Sequence, residues 1–200
     1  MPLFSFGQKR ASGKPPKSRT RETIETFVVA LVLALTVRAT VAEARFIPSE
    51  SMLPTLEVGD RLIVEKVSYR FESPSRGDIV VFNPPASAGF RENNAFIKRV
   101  IGIPGDRLSV HDGKVFRNGV ELQESYIKEA PDYLMPDPAN PGAYFHDGRE
   151  VTVPEGHVFV MGDNRNNSAD SHVWGFLPIQ NIIGRAAVRY WPPARFGLPG

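Results

Sequence analysis

Residues 95–120, AFIKRVIGIPGDRLSVHDGKVFRNGV, decide the fold class. The run AFIKRVIGI (95–103) is rich in Ile, Val and Phe and is stopped by Pro104-Gly105-Asp106, which is how a short strand ends. The run that follows carries two hairpin signals, Asp112-Gly113 and Asn118-Gly119. Tight hairpin turns need positive φ at both central residues, and Asp, Asn and Gly supply it at least cost. Working outward, the same texture recurs in LIVEKVSY (62–69), DIVVF (78–82), VFVMGD (158–163) and AAVRYW (186–191). The pattern predicts an all-β domain from Phe46 onward. The 18 prolines and 17 glycines also favour short strands and turns over long helices. From Glu129 to Arg149 the chain is Pro-rich and weakly periodic, which predicts a loop-rich insertion.

Composition narrows the chemistry. With no cysteine, the chain can form no disulfide, zinc-thiolate site, iron–sulfur cluster or thiol nucleophile. The net charge of +2 hides an asymmetry. Residues 1–23 hold six basic groups and one acid, leaving 18 basic and 21 acidic groups for residues 24–200. The body is therefore mildly acidic, which argues against nucleic acid as a partner.

The basic segment 1–23 reads as a solvated tail. It precedes the longest apolar run, TFVVALVLALTV (26–37). Taken as residues 24–42, with Glu25 at one interface and Arg38 snorkelling at the other, the segment is long enough for a transmembrane anchor. The positive-inside rule then keeps the tail cytoplasmic and places the rest outside. A buried core helix and a cleaved signal peptide are the competing readings, since Ala42-Glu43-Ala44 has the A-x-A form of a cleavage site.

Three segments could carry chemistry: IPSESMLPTL (47–56), FIKRVIGIPGD (96–106) and MGDNRNNSADS (161–171). Ser51 alone, between Pro48 and Pro54, reads as a turn residue. A nucleophilic serine needs a base, and His111, His146, His157 and His172 form no recognisable triad motif. Lys98 becomes a base only if apolar strand neighbours strip its water and lower its pKa. The stretch Asp163-Asn164-Arg165-Asn166-Asn167 fails as a calcium loop: Arg165, Ser168 and Trp174 fall where ligands or glycine belong. No metal is expected.

Together these segments resemble the membrane-anchored type I signal peptidases, the Ser–Lys leader peptidases of bacteria. The resemblance runs through P-S-x-S-M-x-P-T-L-x-x-G-D (48–60), R-G-D-I-V-V-F (76–82), F-I-K-R-V-I-G-I-P-G-D (96–106), G-D-N-R-N-N-S-A-D-S (162–171) and W-G-F-L-P (174–178), in the family's order. It implies an antiparallel β catalytic domain formed by 43–106 and 155–200, a smaller β insertion at 107–154, and one N-terminal transmembrane helix.

The resemblance also implies roles. Ser51 is the nucleophile and Lys98 its general base. The Ser51 N–H and the Ser49 hydroxyl form the oxyanion hole. Ser168 orients Lys98, and Asp170 orients the loop carrying Ser168. Ile47, Pro48, Met52, Leu56, Phe96 and Ile97 wall a pocket for small side chains of an A-x-A signal. His172 stands where the family often has arginine, two residues after the aspartate. No cofactor is implied. The implied partners are signal peptides of exported preproteins, the lipid bilayer and the protein export machinery. The implied location is the bacterial plasma membrane, single-pass, with a thylakoid or other membrane as the variant. A self-cleaving repressor and an inactive envelope protein on the same scaffold are the rivals. The apolar run and the 162–171 stretch count against the first, and the presence of Ser51 and Lys98 against the second.

Overall fold

The computed structural model describes residues 19–89, 95–135 and 150–200. The tail before Arg19 and the Pro-rich residues 136–149 lie outside this set. The chain divides into two units, 1–37 and 38–200. The first contributes most of α1 (Arg19–Thr40), 22 residues with none buried in the chain. At 1.5 Å per residue the helix is about 33 Å long, enough to cross a hydrocarbon core of about 30 Å. It is the one described helix long and apolar enough to do so. It starts five residues before the expected anchor. Arg21 and Glu25 pair one turn apart at 3.0 Å, and Thr23 back-bonds to the Arg19 carbonyl, so the end of the basic tail is drawn into helix.

The second unit is antiparallel β. Seven strands form one sheet: β1 (Ala42–Phe46), β2 (Arg61–Glu65), β3 (Ile79–Phe82), β4 (Phe96–Gly102), β9 (His157–Met161), β10 (Leu177–Pro178) and β11 (Ile182–Trp191). Their spatial order is β1-β2-β11-β3-β4-β9-β10. Four more, β5 (Arg107–His111), β6 (Lys114–Arg117), β7 (Val120–Glu121) and β8 (Val151–Thr152), form a second sheet in the order β7-β6-β5-β8. The two hairpin signals fold as their chemistry dictates. Asp112-Gly113 joins β5 to β6 and Asn118-Gly119 joins β6 to β7, with positive φ at all four residues.

One expected strand is cut short. The run 62–69 leaves the sheet after Glu65 and turns into a short 3-10 helix at Ser68–Arg70. The Glu65 carboxylate accepts from the Val67 and Ser68 backbone N–H groups, the latter at 2.7 Å. That local cap competes with the ladder and wins.

Burial follows the alternation of side chains along β4, which lies between β3 and β9. Phe96 and Val100 pack with Phe82, Val160 and Trp174. Ile97 packs with Ile47, Met52 and Leu56, and Ile101 with Leu108, Val110, Phe159 and Met161. The last cluster joins the two sheets. Asp106 reinforces the junction: it accepts a two-pronged bond from Arg76 at 2.8 and 2.7 Å and another from Asn118 at 2.8 Å.

Strands β2 and β11 approach closely at Gly184. A methyl group there would fall on the Glu65 carbonyl and within 3.0 Å of a Val64 methyl. Backbone cannot yield as a side chain can, so Gly184→Ala overpacks the sheet. The expected loss is about 1–3 kcal/mol, read as an earlier unfolding midpoint of the detergent-solubilised chain in denaturant.

Candidate active site

The loop after β1 is held by its own apolar residues. Met52 and Leu56 are fully buried, and the Leu56 N–H donates to the Met52 carbonyl at 2.8 Å. Ile47 closes the loop base: its N–H donates to the Asp60 carbonyl at 2.9 Å and its carbonyl accepts from Gly59 at 3.0 Å. With these side chains driven inward, Ser49, Glu50 and Ser51 are left lining a cleft.

Lys98 enters the same cleft from β4. Its Nζ lies 2.7 Å from Ser51 Oγ and donates to the Ile97 carbonyl at 2.9 Å. The Phe96 ring centroid is 5.5 Å from the amine. Only 4% of Lys98 is exposed. Burial pushes its pKa down from 10.5 to about 8, against the opposing pull of Asp170 and then Asp163. A dry amine near neutrality beside a hydroxyl can take that hydroxyl's proton and return it.

The third segment docks onto this pair. The Asn164 N–H donates to the Ser51 carbonyl at 3.1 Å, and its side-chain amide donates to the Glu50 carbonyl, also at 3.1 Å. Gly162 lies so close to the Ser51 carbonyl and Ser168 Oγ that a Cβ would overlap both. Its N–H donates to Asp170 Oδ2 at 2.8 Å. Asp163 is fully buried, taking Arg99 at 2.9 and 2.7 Å and the Thr55 hydroxyl at 2.5 Å. The Arg99 guanidinium lies over Tyr126, 4.1 Å from the ring centroid.

Most residues singled out in the sequence converge here. Ser49 Oγ is 3.5 Å from Ser51 Oγ. Among the described residues, none accepts from the Ser51 N–H. The cleft, about 680 Å³, is walled by Ile47, Pro48, Phe96 and Ile97. Met52 and Leu56, also expected on the wall, lie beneath it, because their burial anchors the loop. Val81, Ala95 and Ala169 complete the lining instead. Ser168 Oγ is buried without a hydrogen bond of good geometry. It acts on Asp170, whose carboxyl is held below the usual range by His172, Ser168 and Gly162 despite full burial. The bond expected from Ser168 to Lys98 is not formed; the Ile97 carbonyl orients the amine. Gly162 and Asn164 have no role in the sequence reading. Their only signal was membership of the GDN triplet that closes β9.

A seryl hydroxyl and a desolvated lysine amine meet in one cleft, an arrangement that can support the chemistry of a serine hydrolase. The chain matches the signal peptidase family, peptidase S26, over residues 20–191. It is 56% identical over 183 residues to the probable signal peptidase I-1 of a Synechocystis species, covering 90% of this chain and 87% of that one. It is 52% identical over 196 residues to signal peptidase I of Leptolyngbya laminosa, covering 96% and 90%. It is also 45% identical over 177 residues to the probable thylakoidal processing peptidase 2 of Arabidopsis thaliana, covering 87% of this chain and 45% of the longer plant protein. The chain belongs to the signal peptidase family and is a serine peptidase.

The buried amine sets a stability signature. Unfolded, Lys98 titrates near 10.5; folded, near 8. Between those values the unfolded state binds the extra proton, so stability rises with pH. Below about 8 the full penalty, about 3 kcal/mol, is present. Lys98→Met is therefore expected to unfold later than the parent at pH 7. The gap should close as pH rises toward 10.5, measured by thermal unfolding across that range.

Proposed function

We propose that the chain removes N-terminal signal peptides from exported preproteins by cutting after small residues. The observation that carries this reading is the 2.7 Å approach of Lys98 Nζ to Ser51 Oγ in a site from which water is largely excluded. Neutral Lys98 takes the Ser51 proton as Oγ attacks the carbonyl at the end of the signal peptide. The oxyanion develops against the Ser51 N–H and the Ser49 hydroxyl, donors of a kind typically worth about 3–4 kcal/mol in the transition state. Lys98 then gives the proton to the departing amine of the mature protein. Water, deprotonated by the same lysine, hydrolyses the ester and regenerates Ser51.

Cleavage after small residues follows from shape. Ile47, Pro48, Phe96 and Ile97 offer apolar walls in a cleft that Arg45 and Glu50 also line, and small apolar side chains seat against those walls. Asp170 fixes the loop, with Ser168 supporting it. Residues 107–154 form an insertion between two parts of the catalytic unit.

The apolar helix α1 anchors the chain once in the membrane, with the basic tail cytoplasmic and the catalytic unit on the far face. Confinement to the layer that also holds the substrate's apolar segment raises their effective concentration. A plasma membrane suits this arrangement, and a thylakoid membrane suits it equally, given the plant relative's name. The bilayer and the export machinery that delivers the preprotein are the remaining partners.

Ser51→Ala and Lys98→Ala should each abolish conversion of a preprotein to its mature form, with sequencing of the new N-terminus fixing the cut in the parent. The parent's rate should climb with pH and level off above about 8, as the amine loses its proton. A rate independent of pH from 5 to 9 would overturn the neutral-lysine mechanism.

A further inference from the structure

Asp170 is fully buried and divides its two oxygens between two tasks. Oδ2 accepts from the N–H of Gly162, the residue wedged beneath the Ser51 carbonyl. Oδ1 lies 2.7 Å from Nδ1 of His172 and accepts the His172 backbone N–H at 3.2 Å. Asp170 thus caps the short helix α2 (Ser171–Trp174). Ser171 ties the same turn to β9, its Oγ accepting from the Val160 N–H at 3.0 Å. The connection from imidazole to nucleophile loop is short and fixed at each step.

His172 is held on its other side too. Its ring stacks on Tyr133 at 4.1 Å and 11°, leaving 19% of the side chain exposed, so protons reach it from solvent. The titratable and charged groups around it are Asp170 and Tyr133, then Asp132 and the Arg165–Glu124 pair behind the tyrosine. Arg165 and Glu124 neutralise each other at 2.7 Å. The charge on His172 therefore decides whether the Asp170 pair presents a full negative charge to the active site or none.

We propose that His172 is a positioning residue that sets, through Asp170, how tightly Lys98 holds its proton. This rests on the Ser51–Lys98 reading of the site. Of the carboxylates that favour the charged amine, Asp170 acts most strongly. Imidazoles change charge between about pH 5 and 8. When His172 is charged it cancels Asp170, and Lys98 gives up its proton more readily. When His172 is neutral, Asp170 holds the ammonium form. The hydrogen bond to Asp170 can persist in both states, so the field changes while the geometry need not. In acid, where the lysine base would otherwise be silenced, the device preserves part of the activity.

Two substitutions separate charge from shape. His172→Arg carries a permanent cation. His172→Asn keeps a neutral donor near the place of Nδ1. Preprotein cleavage by the solubilised full chain, followed from pH 5 to 9, should put the arginine variant about three- to tenfold above the asparagine variant at pH 6. The parent should follow the first in acid and the second above pH 8. Rates scaled by one factor at every pH, or the opposite order, would overturn the proposal and leave His172 a packing residue.

A second measurement needs no activity. Coupling is reciprocal, so deleting the lysine cation in Lys98→Met should make His172 bind its proton more tightly, read by NMR as a titration moved to higher pH. An unchanged midpoint sinks the coupling even where the variants cleave. If the parent fails to cleave while the midpoint moves, the functional reading of the site falls and the coupling stands.

Discussion

An ammonium group taken out of water is costly, and the catalytic unit is organised around keeping the Lys98 amine dry without letting it ionise fully. Burial supplies the downward push on its pKa, and Asp170 and Asp163 oppose it. If those carboxylates faced the amine unpartnered, the proton would be held too tightly for catalysis. Each is instead committed elsewhere: Asp163 to Arg99 and Thr55, Asp170 to Gly162 and His172. The lysine sits at the balance of a large desolvation and two partly cancelled attractions. The role of base proposed for Lys98 needs that position.

The same contacts that set the charge set the geometry. Ser51 is on a loop and Lys98 on a strand, and a loop alone would not hold a hydroxyl to a fixed distance. Three constraints remove that freedom. Met52 and Leu56 pin the loop from below, Asn164 bonds the successive carbonyls of Glu50 and Ser51, and Gly162 lets the chain leaving β9 approach the Ser51 carbonyl more closely than any side chain would allow. The buried Arg99–Asp163 pair also has a geometric part: it ties β4, the strand carrying Lys98, to the loop that follows β9. Removing one partner would leave the other charge buried and unpaired, which is far more costly than the pair is worth.

The sequence made some of this legible because the physics is local. Asp112-Gly113 and Asn118-Gly119 demand positive φ and fold as hairpins wherever the flanking strands allow. The apolar alternation of 96–101 places Phe96 and Val100 on one side and Ile97 and Ile101 on the other. What stayed hidden depends on distant partners. That Glu65 would cap its own turn, that Met52 would anchor rather than line the cleft, and that Ser168 would be buried without bonding the amine are all outcomes of tertiary packing. The type of residue at each position is compatible with either choice. Gly162 is the clearest example: its lack of a Cβ matters only because the Ser51 carbonyl, far away in sequence, arrives beside it together with the nearby Ser168.

Desolvation as the main source of the lysine shift has a consequence for the cleft. Phe96 stands within 5.5 Å of the amine and also lines the cavity where a substrate side chain would sit. Ile97 lines the same cavity, and its carbonyl holds the amine. In the proposed mechanism recognition and activation therefore share residues. A peptide filling the apolar cleft displaces water from the same walls that keep Lys98 dry, and burial of that kind favours the neutral amine. A bulky side chain that could not seat would leave the cleft wet and the lysine more strongly protonated. In the proposed mechanism, selection of small residues by shape and readiness of the base are then two effects of one surface.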